Sequence, residues 1–165
     1  MKKNPDAGKR SSASSEPKPT KTLLYNKRAS FEYHFFDHYE AGIALVGTEV
    51  KSIRAGKVQL QDAWAGFNER GVLQLHQLHI DPYSHGNLFN HSVQRIRALL
   101  LNKRELLRIA DKLSNQGFSL IPIRIYLKGN KIKVELVIVR GKKLYDKRES
   151  TKEREVERDL QRYKR

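Results

Sequence analysis

Four histidines lie close together in the sequence, between His76 and His91, and Asp81 lies among them. Imidazole and carboxylate groups at short spacing are the side chains that bind zinc or act as general bases. His76 and His79, however, are three residues apart in a strand-like stretch, where they would project from opposite faces. The chain also has no cysteine to complete a zinc ligand set. We therefore predict no metal and no other cofactor, and interpret the histidines as loop residues beside RNA or in water.

Carboxylates do not form a catalytic set either. Glu32, Asp37 and Glu40 lie loosely together, but no phosphate-binding glycine loop or trio of metal ligands is adjacent to them. The segment 47–56 begins and ends with glycine but lacks the Gly-Lys-Ser/Thr sequence of a P-loop. The sequence thus predicts no catalytic residues and indicates a binding protein. An RNA-processing enzyme that uses the histidine region is an alternative.

Basic side chains are the more informative groups. The chain has 33 Lys and Arg residues against 18 Asp and Glu, and its formal net charge is +15 at pH 7. This excess indicates a polyanionic partner, either a nucleic acid or an anionic membrane. No apolar segment approaches the length of about 20 residues that a membrane-spanning helix needs, and the N-terminal segment lacks the apolar stretch of a secretory signal. We therefore favour a nucleic acid, expect no membrane partner, and expect the protein to be cytoplasmic.

Two clusters of basic residues form the predicted phosphate-binding surface. The first lies on or just beyond a short predicted helix and consists of Lys51, Arg54 and Lys57. The second flanks the start of a longer predicted helix and consists of Arg95, Arg97, Lys103 and Arg104. A single surface cation is often only solvated, but two clusters on one small domain favour contacts with phosphates. Because candidate base platforms are few (Tyr33, Trp64 and Tyr83), recognition of RNA by shape and backbone is favoured over base stacking.

The C-terminal segment 140–165 is almost continuously charged and has too few apolar side chains to form a core of its own. Arg154, Arg158 and Arg162 recur every four residues, and a thin apolar stripe that includes Val156 has helical spacing. Ion pairs along such a helix contribute only about 0.2–0.5 kcal/mol each, too little to hold it alone. We expect a tail that is disordered when free and helical on a partner; a permanently disordered tail is the alternative.

Six segments of the central part have the patterns of strands. They contain alternating apolar residues or lie beside turn residues, and they span 31–36, 40–46, 62–67, 72–80, 121–127 and 132–138. In 72–80 the apolar residues change face half-way, which predicts a bulge near His76 and Gln77. Bulges of this kind bend the strands of small closed barrels.

Two helices interrupt the strands. The shorter is predicted at 48–55 and ends before Gly56, and the longer begins with the capping pair Asn102 and Glu105 and ends at Gly117. We predict a mainly β protein, an oligonucleotide-binding-type small antiparallel β-barrel of about six strands, with an open α+β sheet as the alternative. The predicted organisation is a disordered basic leader at 1–22, an RNA-binding β-barrel domain at 23–140 and the basic C-terminal tail at 141–165.

Five short stretches carry a family resemblance. They are NKRA at 26–29 with FEY at 31–33, EAGIAL at 40–45, GTEVKSIRAGK at 47–57, LLLNKRE at 99–105 and RGKKLYDKRE at 140–149. Each stretch alone is weak evidence for a family, but their order and the strand-like runs between them make the match specific. From about residue 26 to the C-terminus the chain resembles the small protein B family, bacterial proteins that bind transfer-messenger RNA (tmRNA) and rescue stalled ribosomes.

The resemblance implies a barrel that holds the elbow of the tRNA-like domain of tmRNA and fills the space of the missing anticodon stem. It implies that Glu40, Leu100 and Asn102 contribute to RNA binding. It also implies that the tail enters the decoding centre and the empty mRNA channel, against small-subunit rRNA, through Gly141, Lys142, Lys143, Tyr145, Asp146, Lys147 and Arg148. Elongation factor Tu would carry the aminoacylated end of the RNA. The implied function is delivery of tmRNA to stalled ribosomes in trans-translation.

Two departures from the family pattern lie before the long helix. Ser92 and Val93 follow His91 where the family commonly has Asp-Pro, and Ala98 stands where a lysine is usual. They affect the local loop geometry and one expected phosphate contact. The alternative function is that of a structural ribosomal protein or a general RNA-binding barrel with basic extensions.

Overall fold

Antiparallel strands form most of the structure. The computed structural model describes residues 20–143 together with Asp146 and Val156. In chain order the elements are β1 (Thr20–Tyr25), α1 (Ala29–Glu32), β2 (Tyr33–Ile43), α2 (Gly47–Arg54), β3 (Val58–Gln59), β4 (Trp64–Phe67), β5 (Leu73–His76), β6 (His79–Ile80), a 3-10 helix (Asn87–Phe89), β7 (Arg97–Leu100), α3 (Lys103–Ser114), β8 (Phe118–Lys128) and β9 (Lys131–Gly141).

Six of these strands close into a barrel. Their order is β8-β4-β5-β7-β2-β9, and β9 pairs again with β8. The closure is uneven, because β8 and β9 pair along nearly their whole length, whereas β4 and β8 meet at Ala65 and Leu120. The predicted antiparallel barrel is confirmed, and the open sheet is not observed in residues 20–143.

Two pieces of sheet lie beside the barrel ring. β1 pairs with β8 from Thr20 opposite Lys128 to Tyr25 opposite Arg124, and β3 pairs with β6 in a separate two-stranded sheet. β1 begins within the stretch that the sequence assigned to the leader. The sequence did not predict β1, because this strand contributes few apolar side chains to the core. They are those of Leu23 and Leu24.

The barrel interior is filled from β5, β8 and β9. Leu73, Leu75, Ile125, Leu136 and Ile138 are all almost completely buried. Burying one such side chain stabilises a fold by about 1.5–3 kcal/mol. Because side chains alternate along a strand, a slip of one residue would expose the whole row, so this row fixes the strand register.

A second, smaller apolar cluster covers the outer face of the β8–β9 hairpin near the end of β9. Ala29 of α1 packs there with Ile121, Ile123, Val137 and Val139. This cluster explains why β9 has an almost continuous apolar sequence at its end, because both of its faces are buried there.

The apolar residues of 72–80 do change face as predicted, but the segment forms two separate strands and not one bulged strand. Gln77 has a positive φ of 55°, β5 ends before it and β6 begins after it. Leu78 and Ile80 therefore point into the same core as Leu73 and Leu75. The predicted single bulged strand is thus two strands in two different sheets.

The first two predicted strands are wrong in their boundaries. Phe31 lies in α1, and the segments 31–36 and 40–46 share one long strand, β2, whose pairing with β9 shifts between Phe35 and His38. The amide groups of Arg28 and Ala29 both donate to Asn26 Oδ1, at 3.2 Å. This local turn starts α1, and it outweighs the alternating aromatic pattern.

The longer helix begins as predicted, at the Asn102–Glu105 pair. The Asn102 amide donates to Glu105 Oε2 at 3.1 Å, and α3 follows directly. Its buried stripe is narrow: Ile109 is buried, whereas Leu107 is 63% exposed and Ala110 is also exposed.

Candidate nucleic-acid interface

The outer face of the barrel near the β8–β9 turn brings together residues from four strands. Glu40 and Gly42 point outward, because Ala41 between them is fully buried. Gly42 lies opposite Leu100 of β7 on one side and Lys133 of β9 on the other. Directly opposite residues of antiparallel strands share a face. Glu40, Leu100 and Lys133 therefore lie on one exposed surface, which we call the outer face.

Glu40 organises the cations of this outer face. Its carboxylate accepts a hydrogen bond from the Tyr126 hydroxyl at 2.5 Å and from Lys128 Nζ at 2.9 Å, and Lys133 Nζ lies 3.7 Å away. The hydrogen bonds from Tyr126 and Lys128 lower the pKa of Glu40 from its ordinary value. Burial and the Glu40 carboxylate raise the pKa of Tyr126. Since a carboxylate repels phosphate, any contribution of Glu40 to RNA binding acts through the two lysines.

Leu100 depends on the glycine opposite it. A Cβ at Gly42 would lie 3.2 Å from the Leu100 Cβ, closer than side chains normally pack. With glycine there, Leu100 sits on the outer face with 61% of its surface exposed. Asn102 and Lys103 follow along the chain, and both are exposed.

The first basic cluster lies on α2 and just beyond it, and its Arg54 contacts the turn beside the outer face. Lys51, Arg54 and Lys57 are all exposed. Arg54 Nη2 donates to the carbonyl of Asn130 at 3.2 Å, in the turn that follows Lys128. Arg54 thus ties α2 to the β8–β9 turn, two residues beyond Lys128.

Arg97 is not available to phosphate, and its prediction as an RNA-binding cation is wrong. It is fully buried, because it lies opposite Leu75 on the inward face of β7. Its guanidinium donates to the carbonyls of Leu78 at 2.5 Å and Val93 at 3.1 Å, and to Glu49 Oε1 at 2.9 Å. Burial lowers the pKa of Arg97, and the charge of Glu49 opposes that shift.

Glu49 is the important residue that the sequence reading missed. It is fully buried, and it accepts hydrogen bonds from Arg95 at 2.7 Å, from Arg97, and from the Val46 amide at 2.9 Å. Burial raises the pKa of Glu49, but the bonds from Arg95 and Val46 and the charge of Arg97 outweigh it, so that pKa lies below its ordinary value. The spacing from Val46 to Glu49 was the available signal, since acidic residues at this helix position reach back to the capping amide.

The histidines have separate partners. The His76 ring stacks on Trp64 with centroids 4.3 Å apart, and His79 lies 3.0 Å from Asp81. His91 bridges the Thr48 hydroxyl and a backbone carbonyl. Among residues 20–143, Asp146 and Val156, no three His, Asp or Glu side chains are grouped to hold a metal ion. In the same part of the chain no helix is long and apolar enough to cross a membrane.

The start of the predicted tail is joined to the barrel. Gly141 is the last residue of β9 and pairs with Tyr33. The Lys142 amide donates to the Glu32 carbonyl at 2.9 Å, and Lys142 Nζ donates to the Ser30 carbonyl at 3.2 Å. Gly141 and Lys142 therefore belong structurally to the end of the barrel.

Asp146 also contacts the barrel. Its Oδ2 lies 3.2 Å from His34 Nε2 and accepts a hydrogen bond from the Lys143 amide. These two bonds, that of His34 first, lower the pKa of Asp146. Asp146 and Val156 have helical backbone conformations. Three further residues predicted to bind the ribosome lie outside the described residues: Tyr145, Lys147 and Arg148.

The fold and this surface define a barrel of the oligonucleotide-binding type with a basic outer surface. The family model described as "SmpB protein" matches residues 23–165. An SsrA-binding protein from Desulforamulus reducens is 50% identical over 143 residues, covering 86% of this chain and 88% of that protein. One from Carboxydothermus hydrogenoformans is 48% identical, covering 86% and 94%.

A solved structure is also similar to this chain. It is described as "tmRNA-SmpB: a journey to the center of the bacterial ribosome", and its matching chain is 47% identical with a TM-score of 0.62, covering 73% of this chain and 85% of that one. The chain therefore belongs to the SmpB family, and the resemblance seen in the sequence is confirmed.

Replacing Glu49 tests the buried ion group. Glu49→Gln leaves Arg97 buried without its counter-charge, so we expect the free energy of unfolding to fall by about 3–5 kcal/mol in urea titrations. The control is Glu32→Gln, which removes the partner of Arg28 in a solvent-exposed pair and should cost less than about 1 kcal/mol. Equal losses for the two variants would contradict the assigned role.

The same group predicts a pH dependence. Because the folded pKa of Glu49 is lowered, its stabilising contribution is complete above the ordinary glutamate pKa of about 4.3 and is lost as pH falls through the folded value. The difference in unfolding free energy between wild type and Glu49→Gln should therefore shrink below about pH 4.3.

Replacing His34 tests the contact between the barrel and Asp146. In His34→Ala the pKa of Asp146 should rise towards its ordinary value, because its first hydrogen-bond partner is gone; carbon-detected NMR titration of the carboxyl group measures this. His38→Ala is the control, since His38 lies against Glu135 instead. An unchanged Asp146 pKa in His34→Ala would mean that the contact does not persist in solution.

Proposed function

We propose that this protein binds tmRNA and acts in trans-translation on the ribosome. The observation that carries the proposal is its close similarity, along most of the chain, to proteins named for binding SsrA, which is tmRNA. The structural relative described with tmRNA and the ribosome points the same way. The basic outer surface of the barrel supplies the physical basis, because phosphate neutralisation dominates the affinity of such proteins for RNA.

The barrel is the part that holds the RNA. Its contact surface consists of the outer face around Glu40, the cations of α2, and the exposed residues that lead into α3. By residue, we assign to it Glu40, Lys51, Arg54, Lys57, Arg95, Leu100, Asn102 and Lys103. The Glu40 group supports this assignment, since it holds two lysine ammonium groups on the exposed face. Its binding partner is the tRNA-like domain of tmRNA.

The tail is the part that reaches the ribosome. In this proposal the segment beyond Lys143 occupies the decoding centre and the empty mRNA channel, where its cations meet small-subunit rRNA. Elongation factor Tu carries the aminoacylated end of the same tmRNA. Since Gly141 and Lys142 are bonded to β2 and α1, they fix where the tail leaves the barrel.

Truncation separates the two roles. The cut belongs after Lys143, because Arg140 and Gly141 pair with β2 and their loss would disturb the barrel itself. We expect the truncated protein, recovered from cells, to carry tmRNA as its dominant RNA, as full-length protein does, but to support no tagging of proteins on stalled ribosomes. If full-length protein instead co-purified in equal amounts with all ribosomes and carried no tmRNA, it would be a structural ribosomal protein.

Glu40→Gln tests how the outer face works. The change removes a negative charge, which by general electrostatics would strengthen RNA binding. We expect the affinity for tmRNA to fall instead, by about tenfold or 1.4 kcal/mol, because Lys128 and Lys133 lose the carboxylate that positions them. Glu135→Gln is the control, since Glu135 lies directly opposite Glu40 on the same face and pairs with Arg124. Tighter binding by Glu40→Gln would contradict the positioning role.

A further inference from the structure

A groove between the start of α2 and the loop that precedes β7 combines an exposed aromatic ring with two cations. Its volume is about 490 Å³, and Lys51, Phe89 and Arg95 are among the residues that line it. The Phe89 side chain is 91% exposed, an unfavourable position for a phenyl ring unless a partner covers it. Phe89 played no part in the phosphate-binding surface predicted from the sequence.

The charge around this groove is not balanced within the protein. Glu49 supplies one negative charge to two guanidinium groups, those of Arg95 and Arg97. Lys51 Nζ lies 5.0 Å from the centroid of the Tyr83 ring, and no carboxylate pairs with it in the described part of the chain. An anion in the groove would therefore meet two unbalanced positive charges.

The polar side chains of Thr48, Asn90 and His91, which line the groove, already have hydrogen-bond partners. Asn90 donates to and accepts from the backbone of Tyr83, and the Thr48 hydroxyl is bonded to His91. The groove therefore offers an aromatic face and cations but few free hydrogen-bonding groups. This combination suits stacking of any base next to a phosphate, and it does not suit reading of one particular base.

We propose that this groove binds one unpaired nucleotide of tmRNA, with its base against the Phe89 ring and its phosphate between Lys51 and Arg95. The proposal rests on the proposed function and adds a defined nucleotide site to it. An apolar protein segment fits less well, because it would cover the Lys51 charge without supplying a counter-charge.

Phe89→Ala is the central variant, and Leu88→Ala is its matched control. Leu88 precedes Phe89 in the same 3-10 helix and is 96% exposed, but it does not line the groove. With full-length protein and a tmRNA transcript, we expect Phe89→Ala to weaken binding about tenfold, within the range for loss of one base–aromatic stack. Leu88→Ala should bind like wild type, and Phe89→Trp should retain binding.

Salt dependence separates the phosphate contact from the stacking contact. Over about 50–200 mM KCl, Lys51→Ala should reduce the slope of log K against log salt by about 0.7–0.9, the value for one lost phosphate contact. Phe89→Ala should leave the slope unchanged. Arg70→Ala, at an exposed position in the β4–β5 turn, is the control and should leave the slope unchanged.

A photo-crosslinker at position 89 locates the occupant. With p-benzoylphenylalanine in place of Phe89, irradiation of the tmRNA complex should label one unpaired nucleotide, which sequencing identifies. Equal binding by wild type and Phe89→Ala would overturn the nucleotide site and leave the proposed function intact. If Phe89→Ala bound tmRNA normally but bound the ribosome more weakly, the nucleotide site would also be overturned, because the groove would then serve a ribosomal partner. Absence of tmRNA binding by the wild type would instead overturn the proposed function.

Discussion

The buried Glu49 carboxylate is the interaction on which the basic half of the molecule depends. It accepts hydrogen bonds from two arginines that flank or begin β7 and from the backbone that begins α2. Arg97 in turn holds the carbonyls of Leu78 and Val93. One side chain therefore joins α2, β7 and the loop before β7. Burying these charges is costly unless each is paired and hydrogen-bonded, so the group permits one arrangement of the three elements.

A second glutamate uses the same chemistry at the surface. Glu40 holds Lys128 and Lys133 as Glu49 holds Arg95 and Arg97, but 38% of the Glu40 side chain is exposed whereas Glu49 is fully buried. In the buried group Arg97 is enclosed by the fold, whereas 37% of the Arg95 side chain stays exposed. In the exposed group the ammonium groups remain able to meet phosphate. Burial, and not residue type, thus decides which basic residues remain accessible to an anion.

This difference explains what the sequence could and could not predict. The barrel and the last hairpin follow from the alternation of Ile125, Leu136 and their neighbours, because a buried face has a period of two. The cap of α3 joins Asn102 and Glu105, which are three residues apart, so the sequence predicts it equally well. Arg97 was assigned to the surface because its partner Glu49 is far along the chain, and a charge pair across two elements leaves no periodic signal. The exposure of Phe89 likewise depends on how a loop packs.

The β8–β9 hairpin connects the two ends of the barrel to which the proposed function assigns RNA binding and the start of the tail. At its turn lie Lys128 and the Asn130 carbonyl that binds Arg54; at its other end lies Gly141, from which the tail leaves. β9 has eleven residues, so at about 3.4 Å per residue these ends lie roughly 34 Å apart along the strand. Between them, Val137 and Val139 are buried under α1, and Lys142 is bonded to the carbonyl of Ser30. β9 is also paired with β2 on one side and β8 on the other along nearly its whole length, which limits its bending. In the proposed function, the RNA contact surface and the start of the tail lie at opposite ends of β9, so the pairing of β9 with β2 and β8 fixes the distance between them.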